Sequence, residues 1–193
     1  METDELETAL RRKREILFSK DGNLLRALNR ELTACDRRIA IRWALDGANI
    51  CAKRLFEKYP FEDAAAQAIK AAESWACGTI KMPQAKRAIL ECHARAKEPW
   101  ADAEGKALFH AVGQACATVH SQRHAIGLAV YELTAVARRY ELKTCGRHIY
   151  GKISEYRERL KNLEKDPGAV QGQWADFIER SIKKQKDSNN IVI

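Results

Sequence analysis

The residues of this chain able to do chemistry are few, and they stand apart from one another. His120 and His124 are four residues apart, the spacing that puts two metal ligands on one face of a helix, as zinc hydrolases require. That motif also needs an adjacent general-base glutamate and a third ligand, and Ser121-Gln122-Arg123 supplies neither. Read as a short connection, those three residues place the two histidines on different helices. His93 follows Ile89 by one turn and so points near an apolar face, with His110 in the next segment. Asp46 shares helical spacing with Ile39, Trp43 and Ile50. A carboxylate on such a face must be hydrogen-bonded, paired or protonated, because burying it alone costs several kcal/mol. Asp46, His93, His120 and His124 therefore form a candidate polar core cluster, either the centre of a metal-dependent hydrolase or, the favoured reading, side chains that tie helices together. No metal or other cofactor is expected.

Cysteine chemistry finds no better setting. The six cysteines (Cys35, Cys51, Cys77, Cys92, Cys116 and Cys145) are spread evenly and contain no C-x-x-C pair, which leaves no zinc ribbon or redox motif. They read as buried, reduced thiols packed as small hydrophobes. Cys92 and His93 are neighbours in sequence, so on a helix they point about 100° apart, poor geometry for a nucleophile and its base. There is no phosphate-cradling glycine loop, no serine elbow and no H-E-x-x-H.

The elements that must position these residues are helices. Twenty-five of the thirty alanines fall between Ala40 and Ala137, and alanine is both the best helix former and small enough to let helices approach closely. A first helix is expected over Asp4 to Phe18, with acids (Asp4, Glu5, Glu7) before the basic run Arg11 to Arg14, in the order that suits the helix dipole. Helical spacing resumes at Leu24, Leu28 and Leu32 and runs to Lys58-Tyr59-Pro60. Asp63 is placed to cap a helix over Ala64 to Ala76 that Gly78 ends. Pro83 opens Gln84 to Lys97, Asp102 or Glu104 opens a helix to about His120, and His124 to Glu141 carries the stripe Ile126, Val130, Leu133, Val136, Tyr140. Gly146 and Gly151 bracket a polar patch before helices over Ile153 to Lys165 and Trp174 to Lys184, and Ser188 to Ile193 reads as a tail. The fold class is all-α, a compact bundle of about eight helices with room for solenoid-like stacking of antiparallel pairs. One domain is expected over 1–193, with a core at 40–140 and a basic helical extension at 141–187.

The formal net charge is +8, and from Arg138 to Ile193 thirteen Lys/Arg stand against eight Asp/Glu. Those basic residues are interleaved with Glu141, Glu155, Glu158 and Glu164, the look of an ion-paired helix face rather than a phosphate-binding stripe. Binding of nucleic acid is not expected. The acidic Met1-Glu2-Thr3-Asp4-Glu5 lacks the apolar stretch of a signal peptide, and no run of residues approaches a membrane span. A cytoplasmic protein without membrane partners is expected.

Three blocks carry a resemblance. Trp43-Ala44-Leu45-Asp46 precedes Phe56-Glu57-Lys58-Tyr59-Pro60. Ala68 to Glu98 contains Ala76-Cys77-Gly78-Thr79-Ile80 and Ala85-Lys86-Arg87-Ala88 before His93. Val112 to Val136 contains Gly113-Gln114, Thr118-Val119-His120 and His124-Ala125-Ile126-Gly127, with Tyr131 beyond. In order and spacing these resemble the bacterial putative immunity proteins, a small all-helical family, over roughly Trp43 to Val136. Two departures stand out: about one extra residue between Asp46 and Phe56, and Gln114 where the family often has a histidine after the glycine. The resemblance implies a non-catalytic protein that binds and neutralises a cognate bacterial toxin, and its scaffold would need exposed aromatic anchors. Trp100, beside Pro99, and Trp174 are the candidates. A helical interaction module of unknown partner is the bland alternative.

Overall fold

A computed structural model describes residues 7–9 and 14–190. Among them are a short helical stretch at residues 7–9 and eight longer α-helices: α1 (Arg26–Ala34), α2 (Arg37–Lys58), α3 (Ala64–Ala76), α4 (Met82–Arg95), α5 (Ala103–Ala117), α6 (Ala125–Arg139), α7 (Leu142–Lys165) and α8 (Asp176–Asn190). Single 3-10 turns lie at Gln122–His124 and Pro167–Val170, and the described residues contain no strand. The all-α expectation is met.

Alanine spacing explains the centre of the molecule. Ala40, Ala44 and Ala48 on α2, Ala107, Ala111 and Ala115 on α5, and Ala125 and Ala129 on α6 recur at steps of four and are all buried. Such small faces let helix axes come close, and α5 packs most extensively on α6 and α2, with α4 and α3 on its other sides. Because α2 touches α3, α5, α6 and α7, the packing closes into a bundle instead of running on as an open stack. Larger side chains fill the space around this centre: Trp43, Phe109, Leu108, Leu128 and Leu133 are fully buried.

Local signals set most of the helix ends. The Asp36 carboxylate accepts from the Arg38 N–H at the start of α2, and Asp102 accepts from the Gly105 N–H at the start of α5, each satisfying a donor that the helix leaves free. Gly78, at φ 78°, ends α3 in the left-handed conformation that glycine adopts without strain. Asp63 does not cap α3 as expected. Its carboxylate accepts from Gln67, and Glu62 accepts from the Ala64 N–H instead.

Three expected boundaries shift. The helix expected over Asp4 to Phe18 is met at residues 7–9 but absent from Arg14 to Phe18, where the chain is irregular; Asp4, Glu5 and Arg11 lie outside the described residues. The Leu17 N–H donates to the Thr134 hydroxyl on α6, and Arg138 donates to the Arg14 carbonyl, so this stretch is strapped across α6. Helix α7 begins at Leu142 rather than Ile153, passing through Gly146 and Gly151. Buried Cys145, Ile149, Tyr156 and Leu160 form its inner stripe, and this apolar periodicity outweighs two glycines. Tyr156 meets Trp43 edge to face, and the Trp43 indole N–H donates to the Tyr156 carbonyl at 2.9 Å. Helix α8 also runs on past Lys184 to Asn190.

Candidate functional site

Helices α4 and α5 form an antiparallel hairpin about the turn Pro99 to Asp102, which brings residues equidistant from that turn face to face. Cys92 meets Phe109, its thiol directed at the Phe109 carbonyl, and His93 meets His110. The two imidazole Nδ1 atoms are 2.9 Å apart, so one ring donates and the other accepts. Gly113 makes this possible, since a Cβ there would collide with the His93 ring. Burial, with His110 and His124 alongside, pushes His93 down to about 4. Burial also lowers His110, with Glu15 working the other way and Lys97 reinforcing the shift. At neutral pH both rings are therefore uncharged.

The row continues along α5. The Gln114 carbonyl oxygen lies 2.9 Å from Nδ1 of His124, whose affinity for a proton is lowered by burial and by His120. His120, past the end of α5, is exposed and stacks on Trp75. At the other end the Tyr131 ring from α6 lies against His110, centroids 5.1 Å apart. His124 is thus within electrostatic reach of both His93 and His120, and the turn between His120 and His124 takes those two off a common helix. Asp46 is elsewhere. It sits at the edge of the buried face of α2, 38% exposed and 3.3 Å from Arg42. Burial raises its pKa against the opposing pull of Arg42 and Arg159, and no histidine figures among its charged neighbours.

The sequence reading missed His110, Gln114 and Tyr131 as members of this row. The signal for His110 was present: His93 and His110 are symmetric about a proline-marked turn. Tyr131 had no local signal, because its position depends on how α6 crosses α5.

What the row can do chemically is limited. The buried cysteines do not supply it with a thiolate: Cys92 is pushed up to about 12, by burial first and Glu62 second, and the Cys51 and Cys116 thiols are raised well above the usual range by burial. Among the described residues no three His, Cys, Asp or Glu side chains are grouped to hold a metal. Lys97, Lys106 and Arg138 stand at the His110 end with Glu15 as the lone carboxylate among the described residues of the lining, a field that repels a cation.

The second feature is an aromatic corner where α2, α3 and the α4–α5 turn meet. Tyr59 is buried and stacks on Phe109, and Trp100 packs against Tyr59, Phe61 and Phe109 with centroids 4.9 to 6.2 Å apart across the cluster. Phe61 is 77% exposed and Trp100 37%. Ion pairs fix the surroundings: Lys58 bridges Asp102 and Glu104, Arg54 joins Glu104, and Arg95 joins Glu62, Glu91 and Glu98. Trp174 is half-buried, its indole N–H donating to the Val170 carbonyl at 2.8 Å, and it lines a cleft of about 480 Å³ with Trp75 and Phe177.

The family model of the Imm-5 like putative immunity protein matches residues 30–160. The chain belongs to that family. No curated protein and no solved structure matches it. The matched range runs from α1 to the end of Leu160 on α7, so it takes in the whole histidine row and the aromatic corner. Trp174 and α8 lie beyond it. Among the described residues no helix is long and apolar enough to cross a membrane.

Proposed function

We propose that this protein binds a cognate bacterial toxin in the cytoplasm and neutralises it by covering its active surface, without catalysis of its own. Membership of an immunity-protein family supports the role. The observation that carries the mode of action is Phe61, a large apolar side chain left 77% exposed on a corner held rigid by ion pairs. Binding hot spots are aromatic side chains on pre-organised surfaces, ringed by contacts that exclude water. Phe61 and Trp100 are the anchors, with exposed Phe56 nearby in sequence. Trp174 is the weaker anchor, because its indole N–H is already satisfied and its ring is half-buried.

The net charge of +8 bears on the partner. Carboxylates around the corner are paired with Lys58 and Arg95, which leaves the rim close to neutral. The partner is accordingly a toxin whose active surface is not strongly basic. The hydrolase alternative loses its support with Asp46 separated from the histidines and a cationic field at the His110 end. We also infer a single folding unit, because α7 contributes Tyr156 and Leu160 to the same core as Trp43.

Co-expression with toxin candidates encoded beside the gene tests the reading. Rescue of growth by the native chain, and its loss with Phe61→Ser at an unchanged thermal midpoint, is the expected result. Failure to rescue against every neighbouring gene product, with none recovered by pull-down, overturns the role. Full rescue by Phe61→Ser and Trp100→Ala alike retains the role but removes the corner from it.

A further inference from the structure

A cleft of about 600 Å³ opens beside His110, between the ends of α4, α5 and α6 and the strapped stretch before α1. Lys97 enters it from the end of α4, Lys106 from the first turn of α5, and Arg138 from the last turn of α6. No ion pair within the described residues neutralises these three cations. Among the described residues Glu15 is the one carboxylate on the lining, so these side chains give the cleft an excess of positive charge. Its floor is neutral and rigid: the His110 ring is held by His93 and lies against Tyr131. One wall is fixed by the Leu17 N–H on the Thr134 hydroxyl and by Arg138 on the Arg14 carbonyl, at 3.2 and 2.7 Å.

These features select a class of ligand. The volume lies within the range of small-molecule sites, about 300–1,000 Å³. A concave surface of one sign focuses its field and concentrates counter-ions of the other, which favours an anion and disfavours a metal. Two lysines and one arginine lining one cleft suit a tetrahedral, multiply charged group better than a planar carboxylate, since an ammonium binds phosphate as a point charge with rotatable donors. His110 and Tyr131 add hydrogen-bonding groups at the floor, and Ile16 and Ala107 an apolar side.

We propose that this cleft binds a small phosphate-bearing molecule, gripped by Lys97, Lys106 and Arg138 above the His110–Tyr131 floor. The site is separate from Phe61 and does not rest on the toxin reading. Calorimetric titration of the full chain with inorganic pyrophosphate, near neutral pH and at about 0.15 M salt, tests it, with citrate as a carboxylate anion of similar charge. The expected result is one saturable site for pyrophosphate, weaker binding of citrate, and shifts of the His110 and Tyr131 resonances during titration. Lys97→Gln and Lys106→Gln, both at exposed positions, should each weaken binding about tenfold, whereas Glu15→Gln should tighten it. Lys161→Gln, on the exposed face of α7, should leave it unchanged. Absence of saturation up to about 10 mM pyrophosphate overturns the proposal. So does equal weakening by Lys161→Gln, which marks a general charge effect, or citrate binding as tightly as pyrophosphate.

Discussion

Glu132 and His93 are both ionisable side chains drawn into the helix packing, and the molecule treats them in opposite ways. Glu132, on α6, is fully buried and met by polar partners: the Lys152 ammonium is 2.9 Å away and the Tyr156 hydroxyl donates to it at 2.8 Å. Burial works against the Lys152 ammonium, but Glu132 and Glu155 more than offset it and leave its pKa raised. Tyr156 is held well above its usual range by burial first and Glu132 second. Among the described residues no carboxylate pairs with His93. Its neighbours are other histidines, and it resolves the conflict by staying neutral. A carboxylate held between an ammonium and a phenol from the facing helix is a staple that fixes α6 against α7. A row left neutral, with one end open to a cationic cleft, is a place whose charge can still be changed by what enters it.

The staple is where the largest effect should appear. Glu132→Ala leaves the Lys152 ammonium with only the exposed Glu155 to pair with and removes the acceptor of the buried Tyr156 hydroxyl, and breaking a buried pair in this way costs about 3–5 kcal/mol. Chemical denaturation measures it. The double variant Glu132→Leu with Lys152→Met should recover most of the loss, because paired removal spares the uncompensated charge. A single-variant loss below about 1 kcal/mol would show that Lys152 escapes to solvent and that the knot is a surface pair.

The histidine row should show itself through pH. His93 titrates at about 4 when folded against 6.5 for a free imidazole. As pH falls through that interval the unfolded chain takes up a proton that the folded chain refuses, so stability present above pH 6.5 is progressively lost toward pH 4. Allowing for its partial exposure, the loss is about 2 kcal/mol. Comparing denaturation of the native chain with His93→Gln isolates this share from the carboxylates that titrate lower. A difference that does not change between pH 6.5 and 4 would mean that the His93–His110 contact accommodates the proton.

How far each region was legible in the sequence follows from the range of the interactions that make it. Helices marked by a proline or glycine at one end, such as α3 and α4, and the apolar stripe of α6 could be read directly, since their signals are local. So could the break between His120 and His124. The upper half of α7 could not, because Gly146 and Gly151 mask the stripe Cys145, Ile149, Tyr156, Leu160, which becomes plain only once Trp43 is in place against it. Asp46 looked like a buried acid on spacing alone, whereas α2 is rotated so that Ala44, Ala48 and Cys51 face inward and Asp46 reaches the rim beside Arg42. Glu132 was passed over entirely: a charged residue inside an apolar stripe reads as exposed until Lys152 and Tyr156 are seen converging on it.

Close packing around the row gives the next effect. Alanine at Gly113 would put a methyl group into the His93 imidazole, forcing a shift that costs about 1–3 kcal/mol in a well-packed interior. The same substitution should disturb the His93–His110 contact, visible as an upfield or downfield move of both ring signals. A neutral outcome would show that the ring swings aside freely, and with it the rigid floor of the cleft.

The smallest effect should run in the opposite direction. Gly146 and Gly151 lie inside α7, and a Cβ at either position meets nothing within 4 Å. Neither has a backbone angle that demands glycine. Replacing each by alanine removes freedom from the unfolded chain and should stabilise the protein by about 0.5–1 kcal/mol. The gain also tests the staple, because Lys152 follows Gly151 directly: a stiffer helix there holds the ammonium against Glu132 and should add to, not subtract from, the energy of that pair. If Gly151→Ala instead loses stability while Gly146→Ala gains it, the knot needs a pliable helix around Lys152, and the contrast between a fixed charged centre and an adjustable neutral one narrows.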